Sequence, residues 1–241
     1  MSQSRPFLTA RWVHLVMLNY EIDPGVLADR VPAGTELDAF EGKTLASIVG
    51  FQFLDTRILG IPFPFHRDFD EVNLRFYVRR ETREGVRRGV VFIKEVVPRR
   101  AIAWFARALY NENYVALPMR HSDEIGAVAD PRIAYEWGTA GRVNRVSVRL
   151  GGPAFLPDDD SEESFISEHY WGYVRQRNGD TLEYRVEHPR WRVWRCSIAQ
   201  CECDVEGMYG RAFVPYLTGT PRSAFLAEGS AVAVYPGRRL K

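Results

Sequence analysis

Three side chains with directional hydrogen-bonding groups, Asn73, Arg75 and Tyr77, stand two apart in the run Phe-Asp-Glu-Val-Asn-Leu-Arg-Phe-Tyr-Val at residues 69–78. Side chains alternate across a strand, so these three would share one face, and Val72, Leu74, Phe76 and Val78 the other. On an open sheet such a polar row is ordinary surface. Turned into an enclosed interior it becomes a binding wall, because polar groups removed from water need partners. Arg75 presents a fixed fork of donors suited to a carboxylate or carbonyl oxygen, with Asn73 and Tyr77 beside it to orient the bound group.

Groups able to move protons or attack carbonyl carbon occur elsewhere in the chain. Glu71 directly precedes the polar row. In Val90–Val97 the alternation places Val90, Phe92, Lys94 and Val96 on one face and Val91, Ile93, Glu95 and Val97 on the other. A desolvated Lys94 would have a lowered pKa and serve as an amine nucleophile; otherwise its stem lies along the sheet with the ammonium in water. Glu168-His169-Tyr170-Trp171 gathers an acid, an imidazole and two aromatics at a helix end. His188 is held extended by Pro189 and shares parity with Leu182, Tyr184 and Val186. An inward imidazole suits proton transfer near neutral pH, although histidines of this kind also serve as hydrogen-bonded structural groups. Asn111 to Tyr114 add polar groups after a long helix. The candidate catalytic residues are thus Glu71, Glu168, His188 and Lys94. The candidate substrate-contacting residues are Asn73, Arg75, Tyr77, Asn111, Tyr114 and His169.

Several chemistries lack a motif. The sequence contains no His-Glu-x-x-His, no phosphate-binding Gly-x-x-x-x-Gly-Lys-Ser/Thr loop, no Gly-x-Gly-x-x-Gly and no Gly-x-Ser-x-Gly. Cys196, Cys201 and Cys203 do not form the paired sets of a structural zinc site, so neither metal nor cofactor is expected. A formal charge of +1 gives no electrostatic case for nucleic acid or an anionic membrane surface. No apolar run is long enough to span a bilayer. An odd set of thiols, with no secretory signal at the start of the chain, points to the reducing cytoplasm. Lysine is scarce: Lys43, Lys94 and Lys241 are the only three among 32 basic residues, so few amines are available to any mechanism. The partner expected is a small-molecule ligand, with self-association left open.

The elements that must position these groups are mostly strands. β-Branched or aromatic enrichment marks 45–54, 72–79, 90–97, 132–137, 142–150, 182–188, 191–203 and 231–235. Asn178-Gly179 reads as a hairpin turn with a loop that can exceed two residues. Helices are expected from Pro24, capped by Asp23, to about Val31, over 99–110, and from Ser161, whose apolar stripe is Phe165, Ile166, Tyr170 and Tyr173. At 241 residues with 46% hydrophobic content, the chain reads as one continuous domain over 1–241, mainly β with a few helices (α+β).

The ordered set Arg11-Trp12, Val31-Pro32-Ala33-Gly34, Glu71 to Val78, Tyr110 to Tyr114, Phe165 to Trp171 and His188-Pro189-Arg190-Trp191 resembles the uncharacterised bacterial family termed domain of unknown function 2071. That family is similar in fold to acetoacetate decarboxylase, which implies a single antiparallel cone-shaped β-barrel with an interior cavity. Acetoacetate decarboxylases form a Schiff base through a lysine in a Gly-Tyr-Pro-Lys-Lys-like segment after a helix. The comparable segment here, Asn113 to Met119, contains no lysine, so the decarboxylase activity is not carried over. The expected function is a small-molecule site inside the barrel for a carbonyl or carboxylate compound, its mouth covered by the apolar Ile61–His66 loop. The competing reading is a non-catalytic sensor, carrier or interaction protein whose polar interior satisfies itself. Unpaired polar groups around Arg75 would favour the first; pairing of Arg75 with Glu71 or Glu168 would favour the second.

Overall fold

The computed structural model describes residues 5–63, 66–100, 113–139 and 141–240. From residue 101 on, the helix expected over 99–110, and with it Asn111, falls outside the described residues. Long strands dominate. Phe69–Thr82 pairs antiparallel with Lys43–Ile58, which pairs with Leu8–Glu21, which pairs with Ser223–Val234. In the other direction Phe69–Thr82 pairs with Gly85–Val97, which pairs in parallel with Trp171–Arg175, and that strand with Thr181–Glu187. Val186 and Glu187 then meet Val234 and Ala233, closing a ring of seven strands among the described residues.

The parallel link corrects the expectation of a wholly antiparallel sheet, and parity supplies its cause. Up-and-down alternation cannot close around an odd number of strands, so at least one neighbouring pair must run the same way. That pair is Trp171–Arg175 beside Gly85–Val97, reached through a long connection as parallel pairing requires.

The ring strands are bent by bulges. His14 and Asp55 adopt left-handed backbone with φ of 54° each, beside register shifts in the pairing of Leu8–Glu21 with Lys43–Ile58. Both residue types tolerate this region better than most, and the extra residue increases local twist. On the outer side, Val193–Glu202, Arg142–Leu150, Arg132–Thr139 and Met119–Glu124 continue from Ser223–Val234 as an arm of sheet. This arm folds back so that Ile133, Tyr135, Trp137 and Val146 pack on Val16, Ile48, Val72, Leu74 and Phe76. A second core lies within the ring, built from Met17, Val49, Phe51, Tyr77 and Trp191 among others.

Two short helices follow their sequence signals. Asp23 accepts from the Gly25 amide at 2.7 Å and starts Pro24–Leu27, which continues as a 3-10 turn through Arg30. Ser161 caps Glu162–Ser167 by accepting from the Ser164 amide at 3.2 Å, with Glu162 and Glu163 in the favourable first turn. This helix is shorter than its apolar stripe suggests: Tyr173 lies on the next strand. It seats Phe165 and Ile166 in the inner core, against the end of the ring where Tyr77 lies.

Gly89 lies at the parallel link, and a Cβ there would stand 2.6 Å from the Tyr173 ring and 2.7 Å from the Trp171 carbonyl oxygen. The ring therefore closes only because position 89 has no side chain. Gly89→Ala is expected to lower the unfolding free energy by about 1–3 kcal/mol, the usual cost of overpacking. Urea denaturation followed by tryptophan fluorescence measures it, and an unchanged midpoint would mean that this contact does not constrain closure.

Candidate functional site

The ring encloses a cavity of about 160 Å³, roughly tenfold the space that one water occupies. Its position follows from the strand that carries the polar row. Val72, Leu74, Phe76 and Val78 enter the outer core, whereas Phe69, Glu71, Asn73 and Arg75 line the cavity. Tyr77 shares their parity but is fully buried beyond the cavity. The Ser47 hydroxyl donates to Asn19 Oδ1 at 2.7 Å, so its contact with Tyr77, at 2.6 Å, takes the phenol as donor. The tyrosine is thereby committed to the scaffold, with its ring on His169 at 4.7 Å between centroids.

The Gly85–Val97 strand departs from simple alternation. Arg75 pairs with Phe92, but Leu74 pairs with Lys94 and Asn73 with Glu95, leaving Ile93 as the extra residue of a bulge. Phe92 and Glu95 therefore both face inward, and Lys94 faces outward. The expectation that Lys94 shares a face with Phe92 is corrected by this single residue. Lys94 donates to the Met208 carbonyl on the outer side, and burial lowers its pKa there. Lys43 is exposed and paired with Glu21 at 2.7 Å. Among the described residues, no lysine lines the cavity.

Glu71 is deeply buried. It accepts from Asn73 Nδ2 at 3.0 Å and from the Tyr114 hydroxyl at 3.2 Å. Burial pushes its carboxyl up to about 7, against the lowering effect of these donors and of the Arg75 charge. It is thus a group able both to give and to take a proton near neutrality.

Arg75 is the other charged group on this wall of the strand. Its Nη2 donates to the Ile166 carbonyl at 3.2 Å and approaches Met17 Sδ at 3.9 Å. Among the described residues no carboxylate lies within 4.0 Å of it, so neither Glu71 nor Glu168 is its ion-pair partner. Around it, the buried Arg75 Nε, Asn73 Oδ1 and His169 Nδ1 have no hydrogen-bond partner among the described residues.

His169 lines the cavity at its helix-plugged end. Burial lowers it to about 4, so it is neutral, with Nε2 donating to Asp38 at 3.1 Å. Burial alone would raise Asp38, but the hydrogen bonds from His169 and Arg88 outweigh that and hold it at about 2. His188, Tyr184 and Val186 line the facing wall, as their parity requires. His188 donates through Nδ1 to the Pro189 carbonyl at 2.9 Å and stacks on Trp191 at 4.0 Å; burial lowers its pKa. Glu168 does not join them. It pairs with Arg190 at 2.6 Å outside the cavity, which removes it from the acid–base set expected there. From the loop at the mouth, Phe63 lines the cavity while Ile61 is exposed.

Sequence reasoning missed Trp12, Thr56, Glu95 and Trp171 as lining residues. For Glu95 no alternation signal could have served, since the bulge that turns it inward is a feature of pairing. Trp12 shares parity with Leu8 and Ala10 before the bulge at His14, and that short period was its available signal.

Comparison with known proteins places this geometry. The model of DUF2071, a family described as uncharacterized conserved proteins, matches residues 9–231. The chain belongs to this family. It is 26% identical over 195 residues to the uncharacterized protein YqjF of Bacillus subtilis (strain 168), covering 80% of this chain and 76% of that one. The fold is that of the acetoacetate decarboxylase-like proteins. The enduracididine biosynthesis enzyme MppR complexed with pyruvate aligns with a TM-score of 0.69 at 14% identity, over 100% of this chain and 92% of that one. Acetoacetate decarboxylase from Legionella pneumophila aligns with a TM-score of 0.67 at 11% identity, over 99% and 88%.

Two outcomes follow for this DUF2071 protein. Borohydride reduction in the presence of a keto acid is expected to leave Lys94 unmodified in a peptide mass map; a reduced adduct there would place its amine in the cavity. Because the folded-state pKa of Glu71 is raised from 4.5 to about 7, the fold favours the neutral acid. Its contribution is fully present below about pH 4.5 and is lost as pH rises through about 7, on the order of 3 kcal/mol in total. Glu71→Gln should flatten that part of the stability–pH profile, measured by urea denaturation from pH 4.5 to 8. A variant that keeps the wild-type slope would assign the titration to another group.

Proposed function

We propose that this DUF2071 protein is a cytoplasmic small-molecule protein whose ring of strands acts as a barrel around a carbonyl or carboxylate ligand. The observation that carries this reading is the state of Arg75, a guanidinium lining a largely apolar cavity with no carboxylate within ion-pair distance among the described residues. Arg75 is partly buried; a charge drawn out of water without a counter-charge carries a cost, which an anionic ligand held by the guanidinium fork offsets. Asn73 and the neutral His169 stand close enough to orient such a ligand. Glu71, beside Asn73, is the acid or base available to a bound carbonyl compound. A fold-sharing protein, MppR, has been solved with pyruvate, which is a compound of this class. The free thiols Cys196, Cys201 and Cys203 suit a reducing compartment.

This arrangement supports non-covalent recognition, since neither Lys43 nor Lys94 reaches the cavity. The self-satisfied interior of the competing reading has less support, because Arg75 Nε, Asn73 Oδ1 and His169 Nδ1 are among the buried polar atoms without a hydrogen-bond partner among the described residues.

A thermal-shift and calorimetric screen of small carboxylates and 2-oxo acids tests the proposal. Hydrogen bonds to a charged group contribute about 1.5–3 kcal/mol, so Arg75→Ala is expected to weaken binding by roughly 10- to 150-fold. Ligands that bind wild type and Arg75→Ala equally would overturn Arg75 as the anchor.

A further inference from the structure

The cavity is graded along its length, and the strand register shows how. On Phe69–Thr82 and its neighbour, Arg75 stands opposite Ser47, Asn73 opposite Val49, Glu71 opposite Phe51 and Phe69 opposite Phe53. Trp12 stands opposite Phe53 on the next strand. At about 3.3 Å per residue, the backbone from Arg75 to Phe69 runs about 20 Å. The charged lining residues, Arg75, Glu71 and Glu95, fall within the first part of that distance.

From the level of Glu71 outward the facing residues are aromatic. Phe53 stacks on Phe69 at 4.6 Å, and Trp12 meets Phe51 and Phe53 edge-on at 5.5 and 5.7 Å. Leu8, Ile58 and Phe63 extend this end outward. Along the neighbouring strand exposure rises in the same direction, from 0% at Val49 through 4% at Phe51 and 7% at Phe53, to 68% at Leu59 and Ile61 in the adjoining hairpin, while Arg75 itself is partly exposed. The polar end is closed by the Glu162–Ser167 helix, whose Ile166 carbonyl receives Arg75. The guanidinium and the aromatic rows thus lie toward opposite ends of the cavity wall.

We infer that the ligand is amphipathic: a monocarboxylate bearing an aromatic ring or an aliphatic tail, bound head-inward on Arg75 with its tail along Trp12, Phe53 and Phe69. The inference rests on the proposal that Arg75 anchors a carboxylate, and adds the chemistry of the tail. A two- or three-carbon acid would occupy the polar end alone and leave the aromatic rows uncovered. Burial of each added methylene should strengthen binding about fourfold.

Calorimetry on the full chain with pyruvate, 2-oxobutanoate, 2-oxohexanoate, 2-oxooctanoate and phenylpyruvate, on wild type and Arg75→Ala, tests this. The expected result is an affinity that rises about fourfold per methylene, with phenylpyruvate at least tenfold tighter than pyruvate. Arg75→Ala should lower the whole series by a common factor while preserving the slope. A flat series with measurable pyruvate binding would overturn the tail and leave Arg75 as anchor. A rising series unaffected by Arg75→Ala would overturn the head-inward carboxylate. No binding by any member would overturn both.

Discussion

Burial of most of residues 70–78 of the Phe69–Thr82 strand, on both faces, is the constraint from which the rest of the site follows. One face can be apolar, and Val72, Leu74, Phe76 and Val78 make it so by entering the outer core. The other carries groups that must find partners away from bulk water. Tyr77 finds Ser47, which reaches Asn19 and then Ser223, a chain of neutral hydrogen bonds in the scaffold. Asn73 and Tyr114 find Glu71. The guanidinium at the centre of the row has a carbonyl oxygen, a thioether and the face of the Tyr77 ring, 5.7 Å away.

Elsewhere the protein shows what full compensation of a buried charge looks like. The Glu183 side chain, completely inaccessible, is met by Arg80, Arg87 and Arg238 at 2.7–3.1 Å and by the Tyr173 hydroxyl at 3.2 Å. Asp38 is likewise held between Arg88 and His169. Glu183 and Asp38 are thus surrounded by counter-charges, and Arg75 has none within 4.0 Å among the described residues.

How much of this was legible in the sequence depended on whether a face could be assigned from neighbours in the chain. Alternation placed Asn73 and Arg75 together and aligned Tyr184, Val186 and His188, because both stretches run as regular strands. It separated Glu95 from Phe92 wrongly, because Ile93 is accommodated by pairing with another strand and leaves no mark of its own. The strand Leu8–Glu21 was not foreseen. Its second half, Leu15 to Leu18, is buried on both faces and so carries no alternation, and His14 breaks the period in the middle. Glu168 and His169 are sequence neighbours at a helix end, yet the turn there sends one to Arg190 outside and the other to Asp38 within. Ring closure through a parallel link was equally hidden, since the number of strands in a ring is a property of the whole chain.

The bulge at Ile93 has a consequence for how a fold of this kind changes its chemistry. Lys94 and Glu95 are consecutive, and the position of one unpaired residue determines which of them faces the interior. Were the bulge to migrate past residue 94, regular alternation from Phe92 would carry the amine inward and the carboxylate outward. The interior would exchange an acid for a nucleophile without any change in amino-acid composition. Strand register in this wall is therefore a heritable variable in its own right: a slip of the backbone by one residue, and not the invention of a new side chain, separates a cavity lined by a carboxylate from one lined by an amine.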